Sequence, residues 1–263
     1  MSDDKPSLSI NDLRKIYATS AGDELAIDLC YSHHKAFIKP MKVKDKKDLL
    51  KAIESKNEKL VQSNLDDIVE KYVRVDGYKS VNQMTVQERY QVLVAMRRAA
   101  AGDDTKIIHQ CPKCEHVAKE INFNMANIVT VDYKEPERGS VIETAGGAIK
   151  ITLGPIRRCD EKILEKIIFD KKITLTSERQ FIMLAGCIHK VEINQDDMIA
   201  EVPMDAAEKV EFFENLSSRD LDRITEYVKQ TDHGVKIPFK FKCAKCDYEN
   251  EQEEANVAVF FIN

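Results

Sequence analysis

What this chain of 263 residues lacks narrows its function first. No window approaches the ~18 consecutive apolar residues of a membrane span, so none is expected. The opening residues, Met1-Ser2-Asp3-Asp4-Lys5-Pro6, are polar and acidic with no apolar run behind them, so no secretory leader is expected. There is no His-Glu-x-x-His, no convincing Ser–His–carboxylate set, and no Gly-Lys-Ser/Thr after the pair Gly146-Gly147. The usual signatures of metalloprotease, acyl-transfer and nucleotide chemistry are therefore missing. The acidic loop around Asn194, Asp196 and Asp197 lacks the glycine and the closing glutamate of a calcium loop. Basic residues are not in excess: 40 Lys and Arg face 45 Asp and Glu, and the net charge of −5 argues against a general nucleic-acid coat.

What is present is the composition of a globular protein with a highly charged surface, 43% apolar and 32% charged. Its length allows one large domain or two small ones. Of the seven cysteines, four fall in two pairs, Cys111-Pro112-Lys113-Cys114 and Cys243-Ala244-Lys245-Cys246. Each pair has a lysine before its second cysteine and an acidic residue after it, and each follows a strand-like run, Lys106–Gln110 or Val235–Lys242. Two such turns supply four thiolates, the tetrahedral sulfur shell that Zn²⁺ prefers and that leaves no position open for chemistry. A redox Cys-x-x-Cys belongs at a strand–helix junction, and structural disulfides belong to exported chains. The pairs here lie between strands, which favours a structural metal, with zinc ahead of other thiophilic ions. His109 and His116 flank the first pair as weaker substitutes for a thiolate. Cys30, Cys159 and Cys187 lie outside the pairs and are expected to be buried thiols.

The two pairs stand 132 residues apart, the difference between 111 and 243, and their surroundings match at that offset. Gly102 maps to Gly234, the helix cap Thr85 to Ser217, and Met125 and Ile128 to Val257 and Phe260. Upstream, residues 149–191 echo residues 36–73 at an offset of 115: Pro155 for Pro40, Asp160 for Asp45, Leu164 and Ile168 for Leu49 and Ile53. The 17 extra residues of the second copy, the difference between 132 and 115, fit an exposed acidic loop at Glu192–Met204. Identities are few, so convergence on one local pattern stays open beside duplication.

The fold expected is α+β and helix-rich, with a split antiparallel zinc-ribbon subdomain formed by the two knuckles and a possible internal pseudo-duplication. Four regions follow: 1–84, strands and helices; 85–131, a capped helix and the first ribbon half; 132–216, a strand and a helical insertion; 217–263, a second capped helix and the second ribbon half. Thr85-Val86-Gln87-Glu88 reads as a capping box and Gly102 as the stop of the helix Val86–Ala101. Ser217-Ser218-Arg219-Asp220 reads as a second, near box. Further expectations are a helix start at Ser9–Asp12, caps at Asp45 and at Ser63 or Asn64, and helices at Ser177–His189 and Ala206–Asn215. Others are a surface loop at His33-His34 and a buried or docked apolar tail at Val257–Ile262.

This order of capped helix, Cys-Pro-x-Cys knuckle, insertion, second capped helix and second Cys-x-x-Cys resembles the baseplate hub proteins of T-even-like contractile-tailed phages. Relatives in that group are described as hub-assembly or tail-assembly chaperones. The resembling pieces run from Glu88-Arg89-Tyr90 to Arg97-Arg98, then Cys111–Cys114, Gly154-Pro155-Ile156, Asp220–Ile224 and Cys243–Cys246. The resemblance implies a non-enzymatic structural or assembly protein. It would bind other baseplate and hub subunits, in the host cytoplasm during assembly or in the virion tail. The zinc is read from the cysteines, not from the resemblance. Asp247 stands where ribbons often carry glycine. The alternative is a zinc-ribbon module that binds single strands through Phe239, Lys240, Phe241, Lys242, Lys245 and Tyr248. The net charge and the acidic stretch Glu249–Glu254 oppose it.

Overall fold

The computed structural model describes residues 24–195 and 198–253. The expected helix start at Ser9–Asp12, the matches at Val257 and Phe260, the apolar tail, and Asp196 and Asp197 lie outside the described residues. Within them the chain forms seven α-helices and small antiparallel sheets, an α+β fold.

The first half opens with β1 (Leu25–Asp28) and β2 (Lys35–Ile38), then helices α1 (Val43–Glu54) and α2 (Glu58–Tyr72), then β3 (Val73–Val75). The strands pair in the order β1-β2-β3. Helix α3 (Val86–Ala101) follows, and its Thr85 box is complete: the hydroxyl accepts from Glu88 N at 3.2 Å, and Glu88 Oε2 accepts from Thr85 N at 2.9 Å. The other oxygen of Glu88 accepts from Ser32 N and Oγ at 2.8 and 2.6 Å, so the cap also pins the β1–β2 turn to the helix. Leu49, Leu65, Ile68, Leu93 and Met96 build the core between sheet and helices. His33 and His34 are exposed, as a surface loop should be.

Two caps differ from expectation. Helix α2 starts six residues earlier than Ser63 suggests, because Asn57 accepts from Leu60 N and extends the helix N-terminally. Asp45 does not cap α1; it lies in the first turn and holds Lys71 and Tyr72 of α2.

Next come β4 (Asp104–Gln110) and β5 (Val117–Asn124), a hairpin with the first knuckle at its tip, and β6 (Val129–Val131). The second half has β7 (Val141–Thr144), β8 (Ile149–Leu153), α4 (Arg158–Asp170), α5 (Thr176–Ala185), β9 (Ile188–Gln195) and β10 (Met198–Val202). It continues with α6 (Ala206–Glu214), α7 (Ser218–Gln230), β11 (Gly234–Lys236) and the second knuckle hairpin, β12 (Pro238–Lys242) with β13 (Glu249–Glu253). Strands β10-β9-β8-β7 form one sheet, and α4 to α7 pack a second core around Ile151, Leu164, Ile188, Phe213 and Ile224. The expected exposed loop at Glu192–Met204 is instead mostly the β9–β10 hairpin: β10 pairs with β9 on one side only, as the edge strand of its sheet, and stays exposed as the loop was expected to, with the apolar Met198 and Ile199 open to water. Helix α5 stops at Ala185 rather than His189, where the chain turns into β9. Ser217 caps α7, but Asp220 accepts from the hydroxyls of Ser217 and Thr144 and does not complete a box.

Two helices of the first half meet helices of the second at the sequence offsets, while β10 and α6 have no counterpart. At an offset of 115, α1 falls on 158–169, and the helix there is Arg158–Asp170. At an offset of 132, α3 falls on 218–233, and the helix there is Ser218–Gln230.

Gly154 marks a tight place in the second half. A Cβ on it would lie 2.2 Å from Cε1 of His189. His189 Nε2 donates to the Pro155 carbonyl at 2.8 Å, and burial pushes its pKa below the ordinary imidazole range despite that bond. Gly154→Ala is expected to displace the ring and cost about 1–3 kcal/mol in urea unfolding. A second expectation concerns pH. With its folded pKa below its unfolded value, neutral His189 stabilises the fold fully above about pH 6.5. That contribution is lost as pH falls through the folded pKa, so stability should decline on mild acidification, and His189→Gln should decline less.

Candidate metal centre

The two hairpins bring four sulfurs to one point. Each knuckle closes with the same two backbone bonds. Cys111 N donates to His116 O at 2.9 Å and Glu115 N to Cys111 O at 2.9 Å; Cys243 N donates to Tyr248 O at 2.8 Å and Asp247 N to Cys243 O at 3.0 Å. The turn forces a positive φ on the residue after the second cysteine, 56° at Glu115 and 52° at Asp247. Asp247 therefore takes the left-handed conformation that glycine would take with less strain.

The Sγ atoms of Cys111, Cys114, Cys243 and Cys246 all lie within 4.8 Å of one another. The two separations across the hairpins are 3.7 Å for Cys111–Cys246 and 3.6 Å for Cys114–Cys243. Swapping one knuckle for the other would exchange these two separations, and they agree to 0.1 Å. A zinc ion with Zn–S bonds of about 2.3 Å needs tetrahedral edges of about 3.8 Å, so the observed separations fit such an ion. They are far longer than the ~2.05 Å of a disulfide bond.

Cys111 and Cys243 are fully buried, in the same core as Ile107, Phe123, Met125, Ile237 and Phe241. Cys114 and Cys246 are half-buried on the rim. Burial raises the pKa of Cys243, but the amides of Lys245 and Cys246 and the neighbouring thiols outweigh it and hold it down to about 7. The Lys245 amide points at that sulfur from 3.4 Å. At Cys246 the Tyr248 amide lowers the pKa, while burial and the other three thiols push it up to about 12. Cys243 is thus favoured as a thiolate while the sulfurs around Cys246 oppose its ionisation, a pattern that a divalent cation would relieve.

Two contacts around the site carry little signal in the sequence. His109 does not join the sulfurs; its ring packs on Phe241 at 4.5 Å between centroids, tying one hairpin to the other. The hairpin register shifts between Ile107 and His109, a feature that no residue pattern in the sequence announces. Strands β6 and β11 form a long-range ladder, Val129 with Lys236 through Val131 with Gly234, which clamps the bases of the hairpins together. His116 is likewise not among the grouped ligands.

Other sequence expectations change. Cys30 and Cys187 are buried, with burial raising both thiols to about 12, but Cys159 is exposed on α4. Phe241 is buried, and Lys242 pairs with Glu249 at 2.6 Å, so the expected basic–aromatic face loses its central ring. The side chain of Phe239 lies outside the described residues. No helix among the described residues is long and apolar enough to cross a membrane.

Comparison with known proteins gives one match. The model of the family described as T4 bacteriophage base plate protein matches residues 24–262, nearly the whole chain, which spans both knuckles and both cores. No curated protein and no solved structure matches. The chain belongs to that family.

Proposed function

We propose that this member of the T4 bacteriophage base plate protein family is a hub subunit or hub-assembly protein without enzymatic activity. In this reading one structural zinc ion, held by Cys111, Cys114, Cys243 and Cys246, clasps its two halves. The family match over residues 24–262 supports the baseplate assignment and contact with other phage tail proteins. The observation that carries the rest is the cluster of four sulfurs assembled from hairpins 132 residues apart, the difference between 111 and 243. A closed four-thiolate shell holds a fold together and leaves no site for substrate. The recurrence of elements at offsets of 115 and 132 favours an ancestral duplication, with the ribbon halves at 85–131 and 217–263 as its matching ends. The hub role fits a protein that works during assembly in the host cytoplasm and in the tail baseplate.

The test is elemental mass spectrometry of the purified protein with a thiol titration, followed by pull-down of co-expressed baseplate subunits. About one zinc per chain is expected, with four cysteines protected until a chelator is added, and with chelation weakening capture of the hub subunits. Metal-free protein with seven reactive thiols on unfolding and none protected beforehand by metal would reject the centre. Capture of no baseplate subunit would reject the hub role.

A further inference from the structure

The two halves do not end alike, and the difference exposes a joint. In the first half, residues 156–162 of the second half lie across the start of α3. Val86 N donates to Ile156 O and Arg158 N to Met84 O, each at 2.9 Å, with Thr85 and Arg157 forming an isolated bridge. Arg158 grips Asp66 of α2 at 2.9 Å, Arg89 meets the same carboxylate at 3.1 Å, and Lys162 donates to Asn82 at 2.8 Å. Helix α4 thus fills a groove made by α2, the turn before α3 and the start of α3.

Among the described residues, the equivalent groove in the second half is open. It has a volume of about 420 Å³ and runs between α5, the end of α6 and the start of α7. Its lining includes Phe181, Leu221 and Glu214, which stand at the offset positions of Asp66, Arg89 and Asn82. The helix that matches α4 is α1, where Val43 matches Arg158 and Lys47 matches Lys162. Val43 is 85% exposed and Phe181 46% exposed. The ionic contact inside the chain, Arg158–Asp66–Arg89, is therefore matched at the two free ends by an apolar set, Val43 with Phe181 and Leu221. The polar contact Lys162–Asn82 is matched by a pair of opposite charge, Lys47 and Glu214. A free helix end and a free groove carry complementary chemistry, apolar to apolar and cation to anion.

We infer that the groove between α5, α6 and α7 takes the start of helix α1 from a second copy of this chain, in a head-to-tail contact that repeats the internal one. The inference rests on the correspondence of the two halves and is independent of the zinc and of any hub partner. A contact between unlike surfaces builds a ring where the rotation closes and a filament where it does not.

Sedimentation equilibrium of the zinc-loaded full chain over a concentration series tests this. The wild type is expected to associate beyond a monomer. Val43→Glu and Phe181→Glu should each weaken association by at least about tenfold, since each places a charge in an apolar contact. Both positions are exposed, so circular dichroism and zinc content should be unchanged in both. The decisive sample is the mixture: the intact groove of the Val43→Glu chain accepts the intact helix of the Phe181→Glu chain, so a 1:1 dimer forms and nothing larger. Lys47→Glu should weaken the contact and Glu214→Lys in the partner copy should restore it. A wild type that stays monomeric overturns the inference. So do assemblies insensitive to both variants, or a mixture that stays monomeric.

Discussion

Cys243→Ser is expected to empty the metal centre and loosen both hairpins while leaving the helices folded. Cys243 is the fully buried cysteine at the base of its knuckle, 3.6 Å from Cys114 and in the core with Ile237 and Phe241. A serine hydroxyl is a hard, protonated oxygen and does not replace a thiolate on zinc. The three remaining thiols then keep a crowded site without the charge that drew them together. In small zinc modules metal binding contributes on the order of 10 kcal/mol to folding. This chain has two apolar cores of its own, so the loss should fall first on the hairpin tips that carry the cysteines. Zinc content should drop from about one per chain to near zero. Amide exchange should accelerate at 104–124 and 234–253 before it does at Val86–Ala101 or Arg158–Asp170. Cys159→Ser, an exposed cysteine outside the cluster, is the control and should change nothing. A Cys243→Ser protein that keeps full metal content and an unchanged exchange pattern would sink the four-thiolate site.

The knuckles were legible because their chemistry is local. Two pairs of cysteines, each at a fixed short spacing between strand-like runs, predict that four sulfurs meet before any contact is known, and they do. Helix Val86–Ala101 was legible to its last residue for the same reason: Thr85 and Glu88 start it, and Gly102, with a φ of 74°, ends it. Where two polar signals compete, sequence reading failed. Ser63 and Asn64 look like caps but lie inside α2, where Asn64 bonds back to the Leu60 carbonyl and Asn57 supplies the cap. Glu192–Met204 looks like a loop because its strands face water and alternate weakly. The ion network at Asp66 had no local signature at all. Its members lie on three helices, and only Arg158–Glu161 is a helix-spaced pair. Asp66, Arg89 and Arg158 meet only because the second half packs on the first.

Arg158→Met is expected to be the most damaging single change outside the cysteines, because it strands Glu161 and takes from Asp66 its bidentate partner. The Arg158 side chain is 4% exposed. Its guanidinium takes Asp66 in a fork, Nε to Oδ1 at 3.1 Å and Nη2 to Oδ2 at 2.9 Å, and its other nitrogen reaches Glu161 at 2.6 Å and Glu165 at 3.2 Å. Burial raises the pKa of Asp66, and Arg158, Arg89 and Lys162 more than reverse that and hold the carboxyl below its ordinary range. Burial dominates at Glu161, whose pKa stays raised even with Arg158 beside it. Removing the arginine leaves Asp66 with Arg89 and Lys162 only, and Glu161 without its cation. Breaking a buried pair in this way costs about 3–5 kcal/mol, much of it from the unpaired charge left behind. For a chain of this size that is a fall of roughly 10 °C in Tm. Arg158→Lys should recover part of the loss, since an ammonium keeps the charge but not the fork. Arg89→Met should cost less, because Asp66 keeps its bidentate partner. The pH dependence has a definite sign. A carboxyl with a depressed folded pKa stabilises above its unfolded value of about 3.9 and loses that contribution as pH falls through the folded value, so the wild type should shed it below about pH 4. In Arg158→Met that acid step should shrink, because the group that depressed the pKa is gone. Equal Tm values for Arg158→Met and Arg89→Met, with identical acid profiles, would show that the fork does not join the two halves.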